Sequence, residues 1–267
     1  MQHVSESALE AAAQPNSIAS IKERASAGSV SWAGPLLLLP MRTFMWMATQ
    51  GILALVFLAQ HRPDPWRQAT CWYCVVGTLG DIVCLLLMRH FTHCEGIRLR
   101  DLLGPIRMKW GRDLWLGLAM LVLAIPIFAG AGWISQRIFY SSPAANPAIQ
   151  FLHSRGLPVW AMVYSVGIWW VIQSPTEEAT YNGFALPRLV ALTGRTWVAV
   201  LIVSFWFTVQ HCAFGFIPDW RFLAYRFVAF YPACLAASLV YLYFRRLMPL
   251  IFAHWPMDIA AVLITAF

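Results

Sequence analysis

Seven stretches of nearly continuous apolar residues, separated by short polar and basic segments, dominate the pattern of this chain. They lie at about 36–60, 69–88, 114–134, 158–174, 196–217, 222–244 and 247–267. About twenty apolar residues suffice to cross the hydrocarbon core of a bilayer as helix. A backbone in lipid must satisfy its own hydrogen bonds, and a helix does so. The pattern predicts an all-α fold, a polytopic transmembrane helical bundle of about seven to eight membrane helices, the eighth re-entrant or on the surface within 91–112. Pro40 and Arg42 place the start of the first span near Thr43. Before Trp32 the chain is polar and rich in Ala and Ser, without the apolar core of a signal peptide. Residues 1–30 therefore read as a disordered cytosolic tail, with a short helix around Ser7–Ala13. Residues 31–267 read as one membrane-embedded helical domain, with no internal repeat or long linker.

Composition supports a membrane solvent. Of 267 residues 60% are hydrophobic and only 12% charged, against about 25% charged in soluble domains. Mean hydropathy is +0.61, which favours a membrane solvent over the alternative of a large soluble core. The net charge of +7 does not indicate nucleic acid as a partner, because the basic residues sit between apolar runs and build no common face. The partner this composition implies is the lipid bilayer. Fourteen Trp and eight Tyr suit anchoring at its interfaces. Arg89, Arg98, Arg100, Arg107, Lys109 and Arg112 form the strongest basic cluster and are expected on the cytoplasmic side. Alternation from there puts Lys22, Arg24, Arg188, Arg195, Arg245 and Arg246 inside, with the N-terminus cytoplasmic. Tyr140–Phe151 falls outside, as do Arg62 and Arg67, a minor violation. The pair Cys71 and Cys74 lies in an apolar run, where cysteine packs as a small hydrophobe. His90, His93 and Cys94 have ligand-like spacing but no second cluster to complete a tetrahedral metal site.

Ionisable groups inside apolar runs carry the functional signal, because each is costly in hydrocarbon. They are Glu177 with Glu178, His211, His254 and Asp258, with Asp81 standing alone in the second run. One reading of the two glutamates is structural: Ser174 or Thr176 caps a helix restarting after Pro175, with the acids in its first turn. Adjacent helical residues point about 100° apart, so only one of them is expected to face a given centre. Leu192–Thr196 is a turn signal in which Gly194 ends one helix and Thr196 caps the next. Glu178 lies 16 residues before Gly194 and His211 lies 17 after it. Two antiparallel helices from that turn bring both to about the same height, unless Pro187 breaks the first. His254 and Asp258 share a face one turn apart, with Pro256 between them. They form either a buried hydrogen-bonded pair or part of a common polar centre.

Three motifs, Glu177-Glu178-Ala-Thr-Tyr-Asn182, Phe207-Thr-Val-Gln-His211 and His254-Trp-Pro-Met-Asp258, resemble those of the CPBP intramembrane proteases. That family includes type II CAAX prenyl proteases and bacteriocin-processing and immunity proteins. The resemblance covers 158–267. It departs from the family at Asn182, where arginine is usual, and at Asp258, where asparagine is commoner. It implies an intramembrane endopeptidase hydrolysing a membrane-associated protein or peptide, in a bacterial inner membrane. Glu177 and His211 would activate water, and Glu178 would be a second candidate or a support. His254 would stabilise the oxyanion and Asp258 would set its tautomer, with Asn182 and Phe207 supporting the site. The glutamic mechanism needs no cofactor. The other mechanism described for the family would hold zinc on Glu177, His211 and His254. Two further readings stay open: a non-enzymatic relative serving immunity or scaffolding, and a proton-coupled transporter.

Overall fold

The computed structural model describes residues 14–104, 110–147 and 157–266, all helix, turn or loop without a strand. Helix α1 spans Ile18–Ser26, α2 Ala33–Ala59, α3 Pro65–Thr70, α4 Tyr73–Cys94 and α5 Trp110–Phe139. Then follow α6 at Val159–Gly167, α7 at Trp169–Glu178, a π-helical stretch at Ala179–Ala185 and α8 at Leu186–Thr193. The chain closes with α9 at Thr196–Ala213, α10 at Trp220–Phe244 and α11 at Met248–Ala266. The fold is the all-α membrane bundle expected. Five helices, α2, α4, α5, α9 and α10, are long and apolar enough to cross a bilayer. Their outer faces expose large apolar side chains such as Phe44, Ile52, Leu55, Val122 and Leu123. The other two apolar runs correspond to α11, whose apolar stretch is Met248–Leu263, and to the interrupted element 159–193.

The observed elements correct several expectations. The run at 158–174 is two short helices that break at Ile168. Helix α2 begins ten residues before Thr43 and runs through Pro40, with Arg42 buried in its interior. Arginine reads as an interfacial residue in a hydropathy pattern, but here it turns inward to partners on other helices. Residues 91–94 end α4 and Leu99–Leu103 form a 3₁₀ turn, so no separate α-helix lies within 95–104; residues 105–109 lie outside the described residues. The end of the presumed tail is also ordered. Ser17 Oγ caps α1 by accepting the Ser20 N–H at 3.1 Å. Ile21 is fully buried, and α1 packs on α8. The helix expected at Ser7–Ala13 lies outside the described residues.

Packing holds the bundle in register. Helices α2 and α4 approach so closely that a Cβ at Gly77 would collide with the Trp46 ring. Gly194 takes the left-handed conformation (φ +66°) that ends α8, as expected. The residue assisting that turn is Thr193, whose hydroxyl accepts the Arg195 N–H at 3.1 Å, and not Thr196. Cys74 packs beside Trp46 and Tyr73, and neither cysteine of the C-x-x-C is in a disulfide.

Candidate active site

The element 159–193 presents the two glutamates, and proline places the irregularity. Pro187 has no N–H for the carbonyl of Gly183, four residues earlier. That carbonyl accepts instead from Asn16 Nδ2 at 2.8 Å. Just before the proline the turn widens, and the Leu186 N–H bonds to Tyr181 O five residues back. Such π stretches recur at functional sites. Here one begins directly after Glu178. Helix α7 runs through Pro175, so the glutamates stand in its last turn. The capping reading is therefore overturned. Thr176 Oγ bonds back to Ile172 O, and Ser174 Oγ donates to Asp258 Oδ2 at 2.6 Å.

Glu177 is fully buried and its two oxygens have different surroundings. Oε2 accepts from Gln173 Nε2 at 2.5 Å and from Arg42 Nη2 at 3.5 Å. Oε1 accepts no hydrogen bond among the described residues. It faces His211 Nε2 at 3.4 Å and His254 Nε2 at 3.7 Å. Glu178 Oε1 lies 3.0 Å from His254 Nδ1, while its Oε2 accepts from Asn182 Nδ2 at 2.8 Å. Both glutamates thus reach the same imidazole, against the expectation that only one would face the centre. The His254 ring lies between them, with one nitrogen toward each. Asp258 Oδ1 stands 3.6 Å from His254 Nε2. The i, i+4 pair is therefore present, within a common centre.

His211 is held by aromatic stacking. Its ring lies 5.7 Å from Phe207, one turn earlier on α9, and 4.4 Å from Phe230 of α10, both nearly parallel to it. Phe207 stacks in turn on Tyr181 at 4.7 Å. The matched heights expected for the hairpin are observed, although Glu177 and not Glu178 meets His211.

Behind the glutamates lies a polar network that hydropathy does not reveal. Arg42 Nη1 donates to Asp81 Oδ1 at 2.6 Å, Nη2 to Gln173 Oε1 at 2.7 Å, and Nε to Gln210 Oε1 at 2.6 Å. Asp81 does not stand alone, and the centre has other intramembrane charges than its histidines and acids. The one available signal was two opposite charges, each inside its own apolar run. On the other side, Ser238 Oγ donates to Asn182 Oδ1 at 3.1 Å, so Asn182 links α10 to Glu178. The family's usual arginine is missing from position 182, and a cation reaches the site from α2.

A cavity of about 680 Å³, walled mainly by apolar side chains of α5, α10 and α11, opens onto this centre. Glu178, His211, His254 and Asp258 line it, with Glu177 buried behind the two imidazoles. Among the described residues no group of three or more His, Cys, Asp and Glu side chains stands at metal-ligand geometry.

An apolar helical bundle thus encloses a glutamate–histidine centre. Residues 158–260 match the family described as Type II CAAX prenyl endopeptidase Rce1-like. This region is thus similar to the type II CAAX prenyl endopeptidases, and the chain is an integral membrane protein. No match is found among curated proteins or among solved structures.

Proposed function

We propose that this chain is an intramembrane endopeptidase of the glutamic type, acting on a membrane-associated protein or peptide. The observation that carries this reading is the asymmetry of Glu177. One oxygen is fixed by Gln173 and Arg42, and the other accepts no hydrogen bond among the described residues and is aimed at two imidazoles. A carboxylate anchored on one side and open on the other suits a general base.

In the proposed reaction a water held between Glu177 Oε1 and His211 attacks the scissile carbonyl carbon, and its proton passes to Glu177. An N–H of His254 donates to the carbonyl oxygen as negative charge develops there. Collapse of the tetrahedral species breaks the C–N bond, and the proton on Glu177 passes to the leaving amine. Glu178 is the nearer partner of His254, at 3.0 Å against 3.6 Å for Asp258. The tautomer-setting role expected of Asp258 is therefore given to Glu178, with Asn182 and Ser238 holding it in place. Asp258, tied to Ser174, orients the other edge of the ring. No step in this proposed reaction uses a metal.

The test is cleavage of membrane-anchored peptides by the purified chain in liposomes. Glu177→Ala, His211→Ala and His254→Ala are each expected to lower turnover by about 10²-fold or more, with membrane insertion intact. Wild-type turnover in any one of them removes that residue from the chemistry. Activity should survive exhaustive chelation, with no metal found by elemental analysis; loss on chelation and recovery with zinc would reverse the assignment. Flux that depends on pH, without any cut product, would point to transport instead.

A further inference from the structure

The polar groups lining the cavity are nearly all satisfied by one another. Gln173 pairs with Arg42 and Glu177, Glu178 with His254 and Asn182, and Asp258 with Ser174. His211 only approaches Glu177, and Arg226, in the second turn of α10, stands apart from all of them. It is only 6% exposed, and among the described residues no carboxylate or hydrogen-bond acceptor reaches it. Its surroundings are aromatic. The guanidinium carbon lies 5.1 Å from the Phe230 ring, 5.5 Å from Phe222 and 5.7 Å from Phe214. Those distances are at the far edge of useful cation–π attraction. Three weak ring contacts do not replace the hydration that a buried guanidinium has lost. Nor does the side chain reach out to the interface, since its exposure is too small for snorkelling. It is a buried cation without a counter-ion among the described residues, on a cavity wall that is mainly apolar.

Position gives this cation a use. Phe230 separates it from the catalytic centre: the same ring stacks on His211 at 4.4 Å. Guanidinium and imidazole flank one aromatic side chain of the cavity wall. An apolar ligand in the cavity with an anionic group near His211 would supply the missing partner, and guanidinium suits carboxylate through paired N–H donors.

Building on the endopeptidase reading, we propose that Arg226 anchors a carboxylate of the bound peptide, either its free C-terminus or an acidic side chain, and thereby positions the chain beside His211 and Glu177. Arg226 is thus a positioning and specificity residue, not a catalytic one.

The test uses the full chain in nanodiscs and a fluorescent peptide with a palmitoyl tail. Four versions are compared: C-terminal carboxylate or amide, each with or without one internal glutamate. Binding is measured by anisotropy in the Glu177→Ala background, so the result does not depend on catalysis. The peptide with no acidic group should bind about tenfold or more weakly than its best acidic counterpart. Arg226→Gln should remove that preference while leaving the uncharged peptide's Kd in place, and Arg226→Lys should restore part of it. Loss on amidation alone identifies the C-terminus as the source; rescue of the amide by the internal glutamate identifies the side chain. Equal binding of all four peptides to the Arg226 chain overturns the proposal, and this arm needs no variant to fold. An equal loss for acidic and uncharged peptides on Arg226→Gln also overturns it, by making Arg226 a packing residue. Failure of the Glu177 chain to cleave any of these peptides while the acidic preference holds would count against the peptidase reading alone.

Discussion

Arg42 and Asp81 bear on the site more than any other residues outside its motifs. Arg42 is 1% exposed and holds Asp81, Gln173 and Gln210, with Glu177 at 3.5 Å. A buried ion pair is weak evidence for stability in itself, but removing one partner leaves a charge stranded, at about 3–5 kcal/mol. Asp81→Leu alone should therefore lower thermal stability in detergent by that order. Adding Arg42→Met should recover part of the loss, because no stranded cation remains. Cleavage should be lost in the double variant, because Glu177 Oε2 has then lost its charged anchor. A double variant no more stable than the single would show that the pair is not coupled in this way. The contacts that could be read from the chain are those one helical turn apart: Phe207 with His211, Glu178 with Asn182, and His254 with Asp258. Arg42 and Asp81 are separated by 39 positions on two helices, and no local spacing relates them. Each therefore read as an isolated charge or the edge of a span.

At the scale of elements, the interrupted helix 159–193 departs most from its pattern. A continuous apolar run gave no sign of the break at Ile168 or of the π stretch, because both depend on backbone carbonyls finding partners elsewhere. The clue was Pro187, whose effect was visible as a possible break but whose compensation was not. Asn16 supplies it, donating to Gly183 O while accepting from Arg188 Nη1 at 3.2 Å. A segment read as disordered tail thus completes the hydrogen bonding of the element that presents both glutamates. Asn16→Ala should leave the Gly183 carbonyl and one Arg188 donor unsatisfied, at about 1–3 kcal/mol. Thermal unfolding of the purified chain measures this, and turnover should fall with it as the π stretch loosens below Glu178. An Asn16→Ala chain that unfolds at the wild-type temperature would show that the carbonyl is satisfied without the side chain.

At the scale of the molecule, the ends of the bundle differ in charge. At one end Arg188 bonds to both oxygens of Glu95, at 2.7 and 2.6 Å, with Arg24 3.5 Å away. There too Arg246 pairs with Asp113 at 2.5 and 2.9 Å, and Gly104 lies against the backbone of Arg245. The segments around Arg24, Glu95, Gly104, Arg188 and Arg245 thus share this end, as alternation of the runs requires. At the other end Gln50 and Trp66 donate to Phe216 O, each at 2.9 Å, beside the segment of loop and short helix α3 that carries Arg62 and Arg67. By the rule that basic flanks stay in the cytoplasm, we propose that the Glu95 end is cytoplasmic and the Arg62 end is outside. Cys94, exposed at the C-terminal end of α4, marks the first end, and Arg62→Cys marks the second. In chains with every other cysteine changed to alanine, a membrane-impermeant maleimide applied to intact cells should label the Arg62→Cys chain and spare the Cys94 chain. Inside-out vesicles should give the reverse. The opposite labelling would invert the topology while leaving the bundle unchanged, because helix packing determines which residues meet and the flanking charges determine only which way the bundle faces.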